Sequence, residues 1–213
     1  MIISITVVLI LIISAVSIYA FQQPDFMQKM IFHPYMVKHR NEWYRFLSSA
    51  FVHGSWMHLI FNMFTFYFFG EAVERYVLKP RFGSELGGLY FVLLFVVGVI
   101  VAHISTYKKY ADAAYYRSLG ASGGVSAVVF ASIMFYPAND LCLYGFICIP
   151  GFLLGPLYLI YSYYQGKRGT DNINHEAHLY GALFGILFSI IVDTSVVGRF
   201  IDQVVTYVSQ YQL

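Results

Sequence analysis

The sequence predicts an all-α, polytopic membrane protein, a six-helix bundle forming a single domain over residues 1–213. Three observations predict it. Hydrophobic residues make up 59% of the chain and charged ones only 11%, whereas a soluble domain carries roughly 25% charged residues. Too few charges remain to coat a water-facing surface, so lipid must solvate most of the chain. Six apolar stretches approach the ~20 residues that cross a bilayer at 1.5 Å rise each. Aromatic residues reach 19%, which suits belts at two membrane surfaces. A net charge of +2 with scattered basic residues gives no ground for a nucleic-acid partner.

The first helix, residues 2–21, carries no charge. It lacks the basic leader and small-residue cleavage site of a signal peptide, so it reads as a membrane helix. Residues 22–54 form a long first loop containing Pro24, Pro34, Trp43 and Arg45. Its aromatic residues alternate with basic ones, which fits partial embedding in the interface rather than disorder. The second helix, residues 55–78, is stopped by Lys79-Pro80-Arg81-Phe82-Gly83, and the third covers 85–105. A polar stretch with Lys108, Lys109, Asp112 and Arg117 leads to the fourth, 119–136, which ends in the turn Pro137-Ala138-Asn139-Asp140. The fifth, 141–164, contains Gly145, Pro150, Gly151, Gly155 and Pro156 and should be bent or mobile. The sixth runs over 175–193, and a short amphipathic tail follows. Cys142 and Cys148 have no metal-ligand spacing and read as small apolar packers rather than a disulfide. With side A defined by the first terminus, Arg75, Lys79, Arg81 and Arg199 lie on side A and the remaining Lys and Arg on side B. That bias favours a cytoplasmic side B.

Polar groups inside spanning helices are costly, so each is a candidate functional residue. His58 and Asn62 are four residues apart and share a helix face, with His53 just before them; simple interhelical hydrogen bonding remains the alternative. Glu71, Glu74 and Arg75 read as structural, snorkelling or pairing locally. Gly120-Ala121-Ser122-Gly123 puts a serine between small residues in the first turn of the fourth helix. There its hydroxyl is sterically open, and unpaired N–H groups favour a developing negative charge. A nucleophilic serine needs both. His178, Gly181 and Gly185 form one stripe of the sixth helix, and the two glycines allow close packing against another helix. If that partner is the start of the fourth helix, His178 reaches Ser122 and can serve as its base. The run His175-Glu176-Ala177-His178 is one residue short of a zinc-binding His-Glu-x-x-His, so no metal is expected. A transporter would need internal symmetry and charged midplane sites, and neither is present.

Together these residues resemble the rhomboid family of intramembrane serine proteases. The resemblance rests on Gly120-Ala121-Ser122-Gly123, on Ala177-His178 followed by Gly181 and Gly185, and on the His53, His58, Asn62 series. Glu71 to Arg75 after Gly70, and Trp43 with Arg45, agree with it, and it spans about residues 40–195. It implies a Ser122–His178 dyad without a carboxylate third member, and an oxyanion site made by the Ser122 N–H with the side chains of His58 and Asn62, supported by Gly120 and Gly123. It further implies that His53, Gly181 and Gly185 pack the site, and that the fifth helix and the loop after it form a gate. No cofactor is implied. The implied substrates are single-pass membrane proteins within the lipid bilayer. The implied location is a bacterial inner membrane with side A in the cytoplasm, against the charge count. Two positions depart from the family pattern. Ser126 stands where an aromatic residue often supports the histidine ring, and Glu176 replaces a small residue, as either a gate contact or an interfacial charge. The competing reading is a non-catalytic relative that binds transmembrane clients; such a relative would be expected to lack the serine or the histidine.

Overall fold

The computed structural model describes residues 3–143, 147–169 and 173–210, and it is mostly helical. Helix α1 (Ile5–Gln22) begins at Ser4, whose hydroxyl accepts the Val7 N–H at 3.3 Å. A second cap comes from 68 residues away. The buried Glu74 carboxylate accepts the Ile5 N–H at 2.9 Å, and the Thr6 N–H and hydroxyl at 2.7 Å each. It also pairs with Lys79 at 2.6 Å. The first N–H groups of a helix have no internal partner, so one carboxylate both satisfies them and fastens α1 to the far end of the next long helix. Glu71 and Arg75 do pair locally, but Glu71 also accepts the Ser4 hydroxyl, and Glu74 likewise acts across the bundle.

The first loop is ordered. It holds α2 (Pro24–Met30), α3 (Pro34–Arg40), α4 (Arg45–Ser48) and a 3₁₀ turn at Ser49–Phe51. Proline opens α2 and α3, where its fixed φ and missing N–H cost nothing. Arg45 is buried at the centre of this loop and donates from Nη1 to the carbonyls of Gln28, Lys29 and Ile31 at 2.8–2.9 Å. Trp43, Tyr44 and Trp56 remain about half exposed, as residues of an interfacial belt do.

Helix α5 (Trp56–Val73) runs through a π-helical turn at Glu74–Leu78 into α6 (Lys79–Tyr110). The helix therefore runs past its expected end at 78, to the last residue of the expected stop Lys79-Pro80-Arg81-Phe82-Gly83. Pro80 falls in the first turn of a new segment, where its missing N–H is harmless, and the break comes at Gly83, with φ 79° and ψ 170°. The chain reverses there, because a Cβ on Gly87 would stand 2.7 Å from the Leu78 carbonyl group. Helix α7 (Ser122–Phe135) follows.

The fifth predicted helix is corrected at the described residues before Gly151. Residues Asp140–Leu143 (β1) and Ile147–Pro150 (β2) form an antiparallel pair, and α8 starts only at Gly151, ending at Arg168. A short apolar run does not distinguish strand from helix, and Pro150-Gly151 was the punctuation. Gly145 lies outside the described residues. The reading of the two cysteines is also corrected. Cys142 and Cys148 are direct cross-strand partners in this hairpin and are joined by a disulfide.

Helix α9 (His175–Val192) starts with Asn174 as its cap. The amphipathic tail is α10 (Val196–Gln210), tied back by Gln203 to the Phe135 carbonyl and by an Arg81–Asp193–Arg199 cluster. The stretches Ile5–Gln22, Trp56–Tyr110 and His175–Val192 are long and apolar enough to cross a membrane, the second being divided at Gly83; Ser122–Phe135 is apolar but shorter. The protein is an integral membrane protein. Its core centres on α7, which α5, α6 and α9 surround. Phe66, Phe91 and Phe95 are fully buried beside it, the Phe91 and Phe95 ring centroids lying 5.9 and 4.8 Å from that of Phe66.

Candidate active site

The sequence puts glycine where α7 meets α6 and α9. A methyl group on Gly123 would strike Ala102 of α6, and one on Gly124 would come within 2.7 Å of Val99. On α9, added methyl groups at Gly181 and Gly185 would collide with the backbone carbonyls of Gly123 and Ala127. The two helices therefore touch backbone to backbone, as small-xxx-small packing allows. This contact carries the first turn of α9 to the first turn of α7. His178 Nε2 and Ser122 Oγ stand 2.8 Å apart, both side chains half-buried.

The segment before Ser122 is held from several directions. Gly120 has φ 115°, a backbone state that only glycine adopts freely. A Cβ there would also lie 2.7 Å from the His58 ring. Its N–H donates to the Ser49 carbonyl at 2.9 Å, and Phe32 exchanges two backbone hydrogen bonds with Ser118. The first loop thus braces the chain leading into the serine.

His53 is fully buried and completes the brace. The Ser17 hydroxyl donates to the Phe51 carbonyl at 2.9 Å and lies 2.8 Å from His53 Nδ1. Having spent its only proton, that hydroxyl must accept from Nδ1–H. Nε2 is then the acceptor, and it takes the Ala121 N–H at 3.5 Å. Burial and the neighbouring His58 push the His53 imidazole down to about 3, so it works as a neutral connector. His53 and His58 meet edge to face at 4.9 Å.

Each predicted residue can now be placed. Ser122 and His178 are brought together, His58 covers Gly120, and His53, Gly120, Gly123, Gly181 and Gly185 build the surroundings. Asn62 is nearly buried, and its amide donates to the His58 carbonyl at 3.1 Å rather than toward Ser122. Glu176 pairs with Lys109 of α6 at 2.6 Å. Ser17, Ser49 and Tyr158 escaped the sequence reading. Ser17, a polar residue in an uncharged helix, was the one with a visible signal. The Tyr158 ring stacks on His178 at 6.5 Å and 18°. Among the described residues, no three His, Cys, Asp or Glu are grouped to hold a metal ion.

Comparison with known proteins agrees with this architecture. Residues 40–194 match the Rhomboid domain family. The rhomboid protease GlpG of Haemophilus influenzae is 27% identical over 189 residues, covering 87% of this chain and 90% of its own. The putative rhomboid protease YdcA of Bacillus subtilis is 26% identical over 159 residues, or 70% of this chain and 66% of its own. The mitochondrial RHOMBOID-like protein 12 of Arabidopsis thaliana is 32% identical over 147 residues, 64% of this chain. The match spans only 42% of that relative, and 51% of the chloroplastic Rhomboid-like protein 11 of the same plant. With a family domain covering most of its length, the chain belongs to the rhomboid family.

Proposed function

We propose that the protein is an intramembrane serine endopeptidase that hydrolyses peptide bonds of single-pass membrane proteins. The observation that carries the reading is the 2.8 Å contact between Ser122 Oγ and His178 Nε2 at the meeting point of two helix N-termini. His178 takes the serine proton as Oγ attacks the scissile carbonyl, then gives it to the leaving amine. Water, activated by the same imidazole, cleaves the acyl-enzyme. The oxyanion is met by the Ser122 N–H, whose position in the first turn of α7 leaves it without a helical acceptor, and by the side chains of His58 and Asn62.

The length of α7 supports a site below the membrane surface. Its 14 residues rise about 21 Å, roughly 9 Å short of the hydrocarbon thickness. With Phe135 level with the side A surface, Ser122 lies beneath side B, where a cavity admits water. All six long helical segments then cross the bilayer, and α8 forms the lateral gate; residues 170–172 of the loop before α9 lie outside the described residues. A bacterial plasma membrane is the location we assign.

The test is labelling of the purified protein with a serine-reactive fluorophosphonate. Wild type should label, while Ser122→Ala and His178→Ala should each lose labelling and cleavage but keep their melting temperature. A folded wild type that does not label would instead favour a non-catalytic protein that binds transmembrane clients.

A further inference from the structure

A histidine that serves as base must keep its ring pointed at one serine, and an imidazole on a helix can rotate about two side-chain bonds. His178 meets two rings from its surroundings. Tyr158 lies nearly parallel to it, with centroids 6.5 Å apart and 18° between planes, and His175 meets it edge to face at 6.0 Å. His175 is itself met edge to face by Tyr161 at 5.4 Å.

The pattern is a two-rung ladder. Tyr158 and Tyr161 are three residues apart on α8, and His175 and His178 are three apart on α9, so each pair shares one helix face. The helices run in opposite directions, which matches Tyr158 with His178 and Tyr161 with His175. Tyr158 is in turn held by α7. Its ring packs 5.8 Å from Phe130. Ser126 is one helical turn after Ser122. It is too small to serve the imidazole as a platform, and the ring that lies against His178 comes from α8 instead.

We propose that Tyr158 is the positioning residue for His178, and that α8 therefore registers the histidine as well as bordering the site. The proposal rests on the reading of Ser122 and His178 as a catalytic pair. Displacing α8 withdraws the ring from His178, so the geometry of the base depends on where α8 sits. Tyr158 touches no reacting atom; it acts through the imidazole.

The experiment uses the full-length protein in detergent and compares wild type with Tyr158→Phe, Tyr158→Leu and the exchange variant Ser126→Phe/Tyr158→Leu. Each is measured by fluorophosphonate labelling rate, by kcat and KM on a fluorogenic transmembrane peptide, and by melting temperature. Tyr158→Phe keeps the ring and should stay within about threefold of wild type. Tyr158→Leu keeps bulk but loses the ring, and kcat should fall about 10- to 100-fold, as for a misaligned catalytic group, with KM nearly unchanged. The exchange variant should recover at least part of that loss by moving the ring to α7. If it does not fold, the Phe and Leu variants still decide the matter. Equal kcat in those two, or a loss in KM and melting temperature without one in kcat, would overturn the proposal. Failure of wild type to label at all would instead strike the Ser122–His178 reading on which it rests.

Discussion

The α7–α9 contact and the α8 contact border the same histidine and are built in opposite ways. Between α7 and α9 the neighbours are main-chain atoms: Gly181 lies on the Gly123 carbonyl and Gly185 on the Ala127 carbonyl. Beside the site, α8 meets its neighbours through side chains, chiefly rings, and Gly155 has room there, whereas Gly151 and Gly166 nearer its ends are tighter. A Cβ on Gly155 would find its nearest atoms at 3.5–3.7 Å, ordinary van der Waals distance. Backbone contact leaves no rotamer to adjust, so it fixes Ser122 and His178 relative to each other. Ring contact can be released and remade without unfolding either helix. The difference teaches which part of the site is fixed and which is free to yield to a substrate.

The sharpest way to break the comparison is to put the same small change on both sides. Gly181→Ala adds one methyl group where only a backbone carbonyl lies. The two helices must separate, at a cost of about 1–3 kcal/mol for overpacking, and the Ser122–His178 distance opens with them. Fluorophosphonate labelling should fall by about 100-fold or more, with a lower melting temperature. Labelling at the wild-type rate would mean that the dyad does not depend on this contact.

Much of the rigid side was legible in the sequence and little of the yielding side was. Gly120, Ser122, His178, Gly181 and Gly185 announce themselves because their chemistry needs glycine at fixed spacing from a polar group, and spacing along one helix survives folding. The brace at His53 was half legible, since its partners Ser17 and Ala121 come from segments whose distance along the chain says nothing about contact. Tyr158 was invisible among 19 tyrosines, because its role depends on which face of α8 meets α9. The hairpin at Asp140–Pro150 and its disulfide were misread for a related reason. A run of apolar residues beside a turn fits helix or strand equally well, and two cysteines six apart are neighbours only if the chain folds back between them.

Asn62 sits between these two kinds of contact. Its amide is engaged with the His58 carbonyl inside its own helix, so service to an oxyanion requires the side chain to turn when charge develops near Ser122. If it does so, Asn62→Ala should slow kcat by about 10- to 1000-fold and leave the melting temperature nearly unchanged. An unchanged kcat would return Asn62 to packing, and would leave the Ser122 N–H and His58 to meet the charge alone.

The smallest effect is expected on α8, and it is the counterpart to Gly181→Ala. Gly155→Ala places a methyl group 3.5 Å from Ile133 Cδ1 and 3.6 Å from Phe130 Cε1, both side-chain atoms that can accommodate it. Exchanging glycine for alanine inside a helix also gains up to about 1 kcal/mol in helix propensity. Labelling should therefore stay within about twofold of wild type, and the melting temperature should hold or rise. The informative comparison is with cleavage of a transmembrane peptide by the same variant. A stiffer α8 that still labels normally but cleaves the peptide more slowly would place the yielding step in α8 itself, separate from the chemistry at Ser122. Normal rates in both assays would move that step away from Gly155, toward the ring ladder at Tyr158 and Tyr161. A loss of labelling as large as that of Gly181→Ala would erase the distinction between the two contacts.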